Sequence, residues 1–591
     1  MFEYPIDSNL ILRKKKKIKR DLSRDQKFLC NIKIAILGGS TTSEIADILE
    51  LFLMNNGIKP SIYQSDYNKF YEDAVFGNKY LDNFKPDIIY IHTSVVNIEK
   101  FPVFSNKIEE IEDMINNEAS KYKSIWRSIS KKNNCLIIQN NFDYPIDRSL
   151  GNLDSYSPFG KTNFLNKINL KLSSYASNYE NVFINDINYL SSYLGLQNWF
   201  DKTLWHTAKY AMSMGAIPEL AFNISKIVNA ILGQSKKCLV LDLDNTCWGG
   251  VIGEDDLDGI SLGNESSIGE SFINFQKYVK ELKNRGILVA VSSKNDHDTA
   301  VKGFSHPNTV LLLDDFSSFK ANWENKDINI KNISKELNIG LDALVFIDDN
   351  PIERNLIISN IKEVSVPNIG KNITEYINHI DKNGFFETVS LSKDDLNRGE
   401  YYIQNKKRND TKAEYKSYED YLISLKMSAN ISTFNKISLN RITQLVNKTN
   451  QFNLTTKRLN YSQILSISKK DNYIKLFGDL KDKFGDNGIV SVIIGRLEKK
   501  ICYIDLFLMS CRVLKRNLEH AMIDELVKNC MNSGILLIKA HYFKTDKNEM
   551  VNNLYDELNF ELVNKTFDKS VWQLEVSNYQ KLNNTIKIIN E

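Results

Sequence analysis

The run Cys238-Leu-Val-Leu-Asp242-Leu-Asp244-Asn-Thr246-Cys247-Trp248-Gly249-Gly250 restricts what this chain can fold into more than any other segment. An apolar stretch of strand length ends in Asp-x-Asp, Thr246 follows two residues later, and glycines then open a turn. The pattern reads as a buried strand delivering two carboxylates to its carboxyl end, which in an open parallel sheet is the ligand-binding end. One carboxylate there can attack a phosphoryl group, the second can move a proton, and together they can hold a hard divalent cation through oxygen. Asp-x-Asp alone is common, so partners elsewhere in the chain decide.

Such partners follow within about a hundred residues. Gly286-Ile-Leu-Val-Ala-Val-Ser292-Ser293-Lys294-Asn295 is a second apolar run, ending in hydroxyls suited to a phosphate oxygen. Trp323-Glu324-Asn325-Lys326 offers an ammonium that can neutralise phosphate, and Leu344-Val-Phe-Ile-Asp348-Asp349-Asn350-Pro351 brings a third strand end with two more carboxylates. A single strand-ending Asp often only caps a following helix. Four elements in this order exceed that simpler role. The order resembles the four motifs of the haloacid-dehalogenase (HAD) superfamily of phosphotransferases. Within it, DLDNTCWGGVIGEDDLDGI and VFIDDNPIER are similar to the FkbH-type family (subfamily IIIC), the glyceryl transferase/phosphatases of polyketide pathways.

The resemblance implies a set of roles. Asp242 is the candidate nucleophile, taking the phosphoryl group as an aspartyl phosphate, and Asp244 the candidate acid/base. Mg2+ is expected between Asp242, Asp244 through its backbone carbonyl, and Asp348 or Asp349, a choice the sequence leaves open. Thr246 and Ser293 are expected to hydrogen-bond phosphate or nucleophile, and Lys326 to neutralise charge. The implied reaction takes a glyceryl unit from 1,3-bisphosphoglycerate, a small phosphorylated three-carbon substrate, onto an enzyme thiol with removal of phosphate. The unit then passes to the phosphopantetheine thiol of an acyl carrier protein. Two cysteines are candidates: Cys511, in Met509-Ser510-Cys511-Arg512-Val-Leu-Lys515-Arg516 beside cations that favour a thiolate, and Cys247 inside the first motif. The alternative is a HAD phosphatase acting on a small phosphate ester, with non-catalytic flanking domains.

The expected architecture is α/β and multidomain. A basic helix (1–32) precedes an α/β domain (33–234), a HAD phosphatase-like core (235–370), a helical connector (371–426) and an α+β domain (427–591). Only about thirty-five residues separate the first two motifs and about thirty the next two, too few for an inserted cap. The core is therefore expected to be capless and Rossmann-like, with Gly249–Gly253 as a short flap hairpin. The domain 33–234 resembles SGNH hydrolases at Gly38-Gly39-Ser40-Thr41-Thr42-Ser43, with Asn140 or Asn141 and His206 as partners. Gly39 stands where that family has Asp, and Asp201 lies five residues before His206 rather than three, so a degenerate scaffold is expected. The last domain resembles the GNAT acyltransferases: Arg512–Asn517 falls at their pyrophosphate loop, with Lys515 and Asn517 replacing glycines, and Asn548, Tyr555 and Phe560 match a closing pattern. The amide-rich string Asn447–Thr455 is either a pantetheine-channel lining or loop-ordering.

Composition narrows the class. With 591 residues, 42% apolar and 25% charged, the chain has the balance of a soluble globular protein. A net charge of +3 gives no bulk field for nucleic acid, and no apolar run reaches the roughly 20 residues of a membrane span. The first basic cluster is not followed by an apolar h-region, so no signal peptide is expected. Seven scattered cysteines without CxxC spacing fit free thiols in a reducing cytoplasm. The abundance of Asn, Ile and Lys fits an AT-rich bacterial genome. Arg13-Lys-Lys-Lys-Lys17-Ile-Lys19-Arg20 reads as the solvated face of a helix or, alternatively, a docking patch for an acidic partner such as a carrier protein.

Overall fold

The computed structural model describes residues 2–25, 28, 30–132, 135–412, 414–449, 451–459, 461–545 and 548–589. The chain forms two compact units, Met1–Asn229 with Asn460–Ser462, and Ala230–Leu459 with Gln463–Glu591.

In the first unit, β1 (Cys30–Gly38), β2 (Ile58–Gln64), β3 (Ile88–His92), β4 (Leu136–Asn140) and β5 (Val182–Asn185) form a parallel sheet ordered β2-β1-β3-β4-β5. Four of these are the strands the apolar runs predict. The fifth, β2, carries Pro60, which a sheet tolerates because β2 lies at the edge. Two helices, α1 (Ser8–Asp25) and α2 (Ser43–Asn55), pack together. Ile11 and Ile18 of α1 are buried, Lys15 pairs with Glu44 and Asp47 at 2.7 and 2.9 Å, and Lys19 with Glu50 at 2.5 Å.

The second unit begins with a parallel sheet of β6 (Cys238–Leu241), β7 (Leu288–Ser293), β8 (Ser318–Ala321) and β9 (Leu344–Ile347), ordered β8-β7-β6-β9. Every residue of β6, β7 and β9 is buried, as strands covered by helices on both faces require. The helices that matter for the site are α3 (Ser267–Asn284), α4 (Lys326–Glu336) and α5 (Pro351–Asn360). The sheet continues to one side of β6 through β7 and resumes on the other at β9, so β6 and β9 flank the switch point where such folds bind ligands. Among the described residues, the β6–β7 connection holds only a short helix, Ile252–Gly259, and α3. The core is capless. The flap differs from expectation: Gly249 and Ser261 bond reciprocally, closing an excursion whose tip is the helix Ile252–Gly259, not a plain hairpin.

The connector runs through α6 (Arg398–Lys412) into a mixed sheet. Its strands are β10 (Ser428–Ala429), β11 (Ile431–Thr433), β12 (Tyr473–Asp482), β13 (Gly485–Glu498), β14 (Ile501–Met509), β15 (Leu537–Phe543), β16 (Glu561–Lys565), β17 (Lys569–Glu575) and β18 (Lys587–Ile588). Neighbours β12, β13 and β14 are antiparallel, whereas β14 and β15 are parallel, with α7 (Leu518–Asn532) as the crossover. This is the α+β domain expected.

The connector clamps the two domains of this unit. Asp395, 6% exposed, takes Lys448 at 2.9 Å and Arg398 at 2.6 Å. Gly286 turns the chain from α3 into β7 at φ +94°, and a Cβ there would lie 1.7 Å from the Asp395 carbonyl oxygen. Only glycine fits that approach.

Candidate active site

Strands β6 and β9 are in register, Leu241 opposite Ile347, so the residues just beyond them, Asp242 and Asp348, emerge side by side. Oxygens of Asp242, Asp348 and Asp349 all lie within 4.8 Å of one another. Lys326, the first residue of α4, reaches in between: its Nζ is 2.8 Å from Asp242 Oδ1 and 2.6 Å from Asp348 Oδ2. Burial works against the Lys326 charge, but Asp242 and Asp348 outweigh it and hold its pKa above the ordinary lysine value. Burial, then the Asp242 charge, pushes Asp348 up to about 7 and raises Asp349 as well. When ionised, the three carboxylates outnumber the one ammonium by two negative charges.

That imbalance, and a donor set of carboxylate oxygen alone, fits a hard divalent cation such as Mg2+ and not a soft one. Arg354 of α5 does not relieve the charge. Its Nη1 donates at 2.7 Å to the backbone carbonyls of both Asp348 and Asp349, fixing the loop and leaving the carboxylates for a ligand.

The carboxylate of Asp244 lies outside this cluster. Oδ1 accepts from the Trp248 indole Nε1 at 2.9 Å and the Ile252 amide at 3.1 Å, and Oδ2 accepts from Asn295 Nδ2 at 2.9 Å. Asp244 thus offers a metal at most its backbone carbonyl. The buried Ser293 hydroxyl accepts from the same Asn295 amide at 3.2 Å, so second-motif hydroxyl and acid/base candidate share one bridge. Thr246 is buried, with Oγ1 accepting the Asp349 amide at 3.3 Å, and thus joins the first and fourth motifs. Ser292 is buried on β7 with its hydroxyl unpartnered. Trp248, Asn295 and Arg354 escaped the sequence reading. All three lie inside or beside the quoted motif strings, but only tertiary contacts disclose their roles.

The two thiol candidates fare differently. Cys247 cannot be the acyl carrier: it is fully buried, its Sγ–H points at the Asp242 carbonyl oxygen at 3.3 Å, and burial followed by Asp242 and Asp244 raises its pKa well above the ordinary thiol value. It packs as a small apolar side chain. Cys511 is half-buried, a degree of exposure shared among the seven cysteines only by Cys30. Its backbone carbonyl accepts from Asn338 Nδ2 at 2.8 Å, and Asn338 follows the far end of α4. The ten residue steps of α4 from Lys326 to Glu336 rise about 15 Å, and Asn338 lies just past that far end. Cys511 is therefore not beside the carboxylates. Two of the three cations meant to activate it are engaged elsewhere, Arg512 stacked 4.3 Å over Tyr401 and Arg516 bonded to Asp482 at 3.1 Å.

Other sequence candidates take structural places. Asn548 donates to the Asn453 carbonyl, both side chains also hold neighbouring backbone, and Tyr555 and Phe560 pack in the core with their rings tilted 52°, so these two asparagines order loops. Asn450 of that string lies outside the described residues. Lys515 and Asn517 adopt φ +62°, the left-handed backbone that the glycines they replace adopt freely. In the first unit, Ser40 is buried with its hydroxyl unpartnered, while His206 is exposed on the helix Lys202–Ala208. Asn140 is engaged with His92 and Asn185, and Asn141 with Asp186.

Residues 33–229 match the model of the FkbH N-terminal domain. Among solved structures, the chain is similar to the N-terminal part of the protein BF1531 from Bacteroides fragilis, which contains a phosphatase domain complexed with Mg. Identity is 32% over 64% of this chain and 99% of that one, with a TM-score of 0.57. Matches at TM-score 0.21 include the ribosomal-protein-S18-alanine N-acetyltransferase from Escherichia coli (12% identity, 26% of this chain, 97% of that one) and a GNAT-family acetyltransferase from Streptococcus pneumoniae (13%, 25% and 99%). No curated protein matches the sequence. Carboxylates converging from two strand ends, the matched N-terminal domain and the relative with its phosphatase domain together make this chain a member of the FkbH-type family of HAD enzymes.

Proposed function

We propose that the protein removes phosphate from a small phosphorylated three-carbon acid through an aspartyl-phosphate intermediate, and that it transfers the glyceryl unit of 1,3-bisphosphoglycerate to an acyl carrier protein. The observation carrying the phosphatase half is the meeting of Asp242, Asp348 and Asp349 around Lys326. Asp242 attacks phosphorus, the ester oxygen leaves with a proton from Asp244, and Asp244 then takes a proton from the water that hydrolyses the aspartyl phosphate. Lys326 orients Asp242 and neutralises the phosphoryl oxygens, while Trp248 and Asn295 keep Asp244 aimed. Mg2+ held by Asp242, Asp348 and Asp349 would offset charge on the transferring group.

The transfer half is supported by the family and by a partly exposed thiol at Cys511. In that step the thiolate attacks the acyl-phosphate carbonyl, the C–O bond breaks, and inorganic phosphate leaves. The separation of Cys511 from the carboxylates favours a second reading for comparison, a phosphatase without any enzyme thioester. Incubation with 1,3-bisphosphoglycerate and Mg2+, followed by intact mass measurement, decides between them. A hydroxylamine-labile adduct lost in Cys511→Ala supports transfer; phosphate release without an adduct supports the second reading. Asp242→Asn with unchanged release of phosphate from a simple phosphate monoester would overturn both.

A further inference from the structure

We infer that α1 presents a docking face for a small acidic protein. Most cations of the helix fall into two groups, with the exposed Lys14 in neither. Lys15 and Lys19 turn inward to the α2 acids Glu44, Asp47 and Glu50. Arg13, Lys16, Lys17 and Arg20 fall within an arc of about 100° on the opposite side from Ile11 and Ile18. All four are exposed. Arg13, Lys16 and Lys17 meet no acidic side chain among the described residues, and Arg20 touches only Asp21, at 3.8 Å. The first turn of α1 holds no acidic residue, and α2, the neighbouring source of carboxylates, already uses Glu44, Asp47 and Glu50 on the inward lysines.

Three classes of polyanion can meet such a face, and the surroundings favour one. A helix that binds a bilayer buries its apolar side among the acyl chains, but Ile11 and Ile18 are already covered by α2. A nucleic acid would ask for a long basic stripe, whereas this face spans only about 10 Å of helix within a chain of net charge +3. A short basic face matches the length of two or three turns of an acidic helix, with attraction acting over about a Debye length. The choice of a thiol-bearing carrier as the acidic protein rests on the transfer reading above; the basic face itself does not.

The test uses full-length protein and fluorescently labelled holo acyl carrier protein, with Kd read by anisotropy at low and high salt. Phosphatidylglycerol vesicles and short duplex DNA serve as parallel probes. The expected result is carrier binding that weakens with salt, and a loss of about tenfold or more in affinity for Arg13→Glu/Lys16→Glu/Lys17→Glu. The milder Arg13→Gln/Lys16→Gln/Lys17→Gln variant should fall between. Melting temperature and phosphate release from a small ester should stay unchanged in both, because these side chains touch neither core nor carboxylates. Carrier binding that is absent, or unaffected by reversal, overturns the proposal. So does a preference for vesicles or DNA. Failure of the transfer reading would show instead as carrier that binds but never becomes acylated.

Discussion

The indole Nε1 of Trp248 donates to Asp244 Oδ1 at 2.9 Å, four residues along the same loop, and the Trp248 ring is fully buried above Gly303. The acid/base candidate is thus aimed by a side chain that packing has already immobilised. Trp248→Phe keeps most of the ring and removes the donor. Loss of one bond to a charged acceptor, about 1.5 kcal/mol, should lower kcat about tenfold with little change in KM. Steady-state kinetics on a chromogenic phosphate ester would check this; a variant that only melts earlier at unchanged kcat would deny Trp248 the aiming role.

Replacing Asp242 by Asn should cost phosphate release from a monoester a factor on the order of 10^4 or more, because it removes the proposed nucleophile. Lys326→Met should cost on the order of 10^2 to 10^3. Phosphate release measured by a coupled assay distinguishes the two.

A cation that neutralises the three crowded carboxylates should also stabilise the fold. At roughly a hundredfold excess over its Kd the gain is about 2.7 kcal/mol. Thermal melts with and without Mg2+ should therefore separate, and the gap should close in Asp348→Asn/Asp349→Asn. Chelation should abolish phosphate release.

His92, buried between Tyr90 and Asn140, is held neutral in the fold, its pKa pushed down to about 4 by burial. An unfolded chain would protonate it near 6.5. Between those values the unfolded state binds the extra proton, so stability present above pH 6.5 is lost as pH falls, by an amount on the order of 3 kcal/mol near pH 4. Urea unfolding across that range should show His92→Asn losing less stability than the parent chain as pH falls, the difference between the two being the His92 contribution.

Asp395→Ala should loosen the second unit. Burial opposes the Asp395 charge, but Lys448 and Arg398 more than offset it and hold the carboxyl well below the usual carboxylate range. Because both partners are partly exposed, the expected loss is about 2 kcal/mol rather than the larger cost of an orphaned buried ion. Limited proteolysis should then cut near α6 earlier than in the parent chain.

The phosphate-handling motifs were legible because each sits where an apolar run stops, and a strand end in a parallel sheet is a fixed address. Asp242 follows from that alone, whereas Ser293 needed the family string and the choice between Asp348 and Asp349 stayed open. The thiols were not legible. Cys247 lies three residues from Asp244 in sequence, yet its burial makes it inert, and Cys511 is separated from Lys326 by a helix length that no local string encodes. Asn295 was overlooked because its partner lies 51 residues away. The flap tip escaped for a related reason: Gly249 and Ser261 close it through backbone bonds, which leave little trace in residue type.

Helix α4 acts as a strut, with Lys326 at one tip and the Asn338–Cys511 contact just past the other. Gly286 and Asp395 tie the flanking domains to the connector. Cargo served at both tips must travel on a supple tether at least as long as the strut.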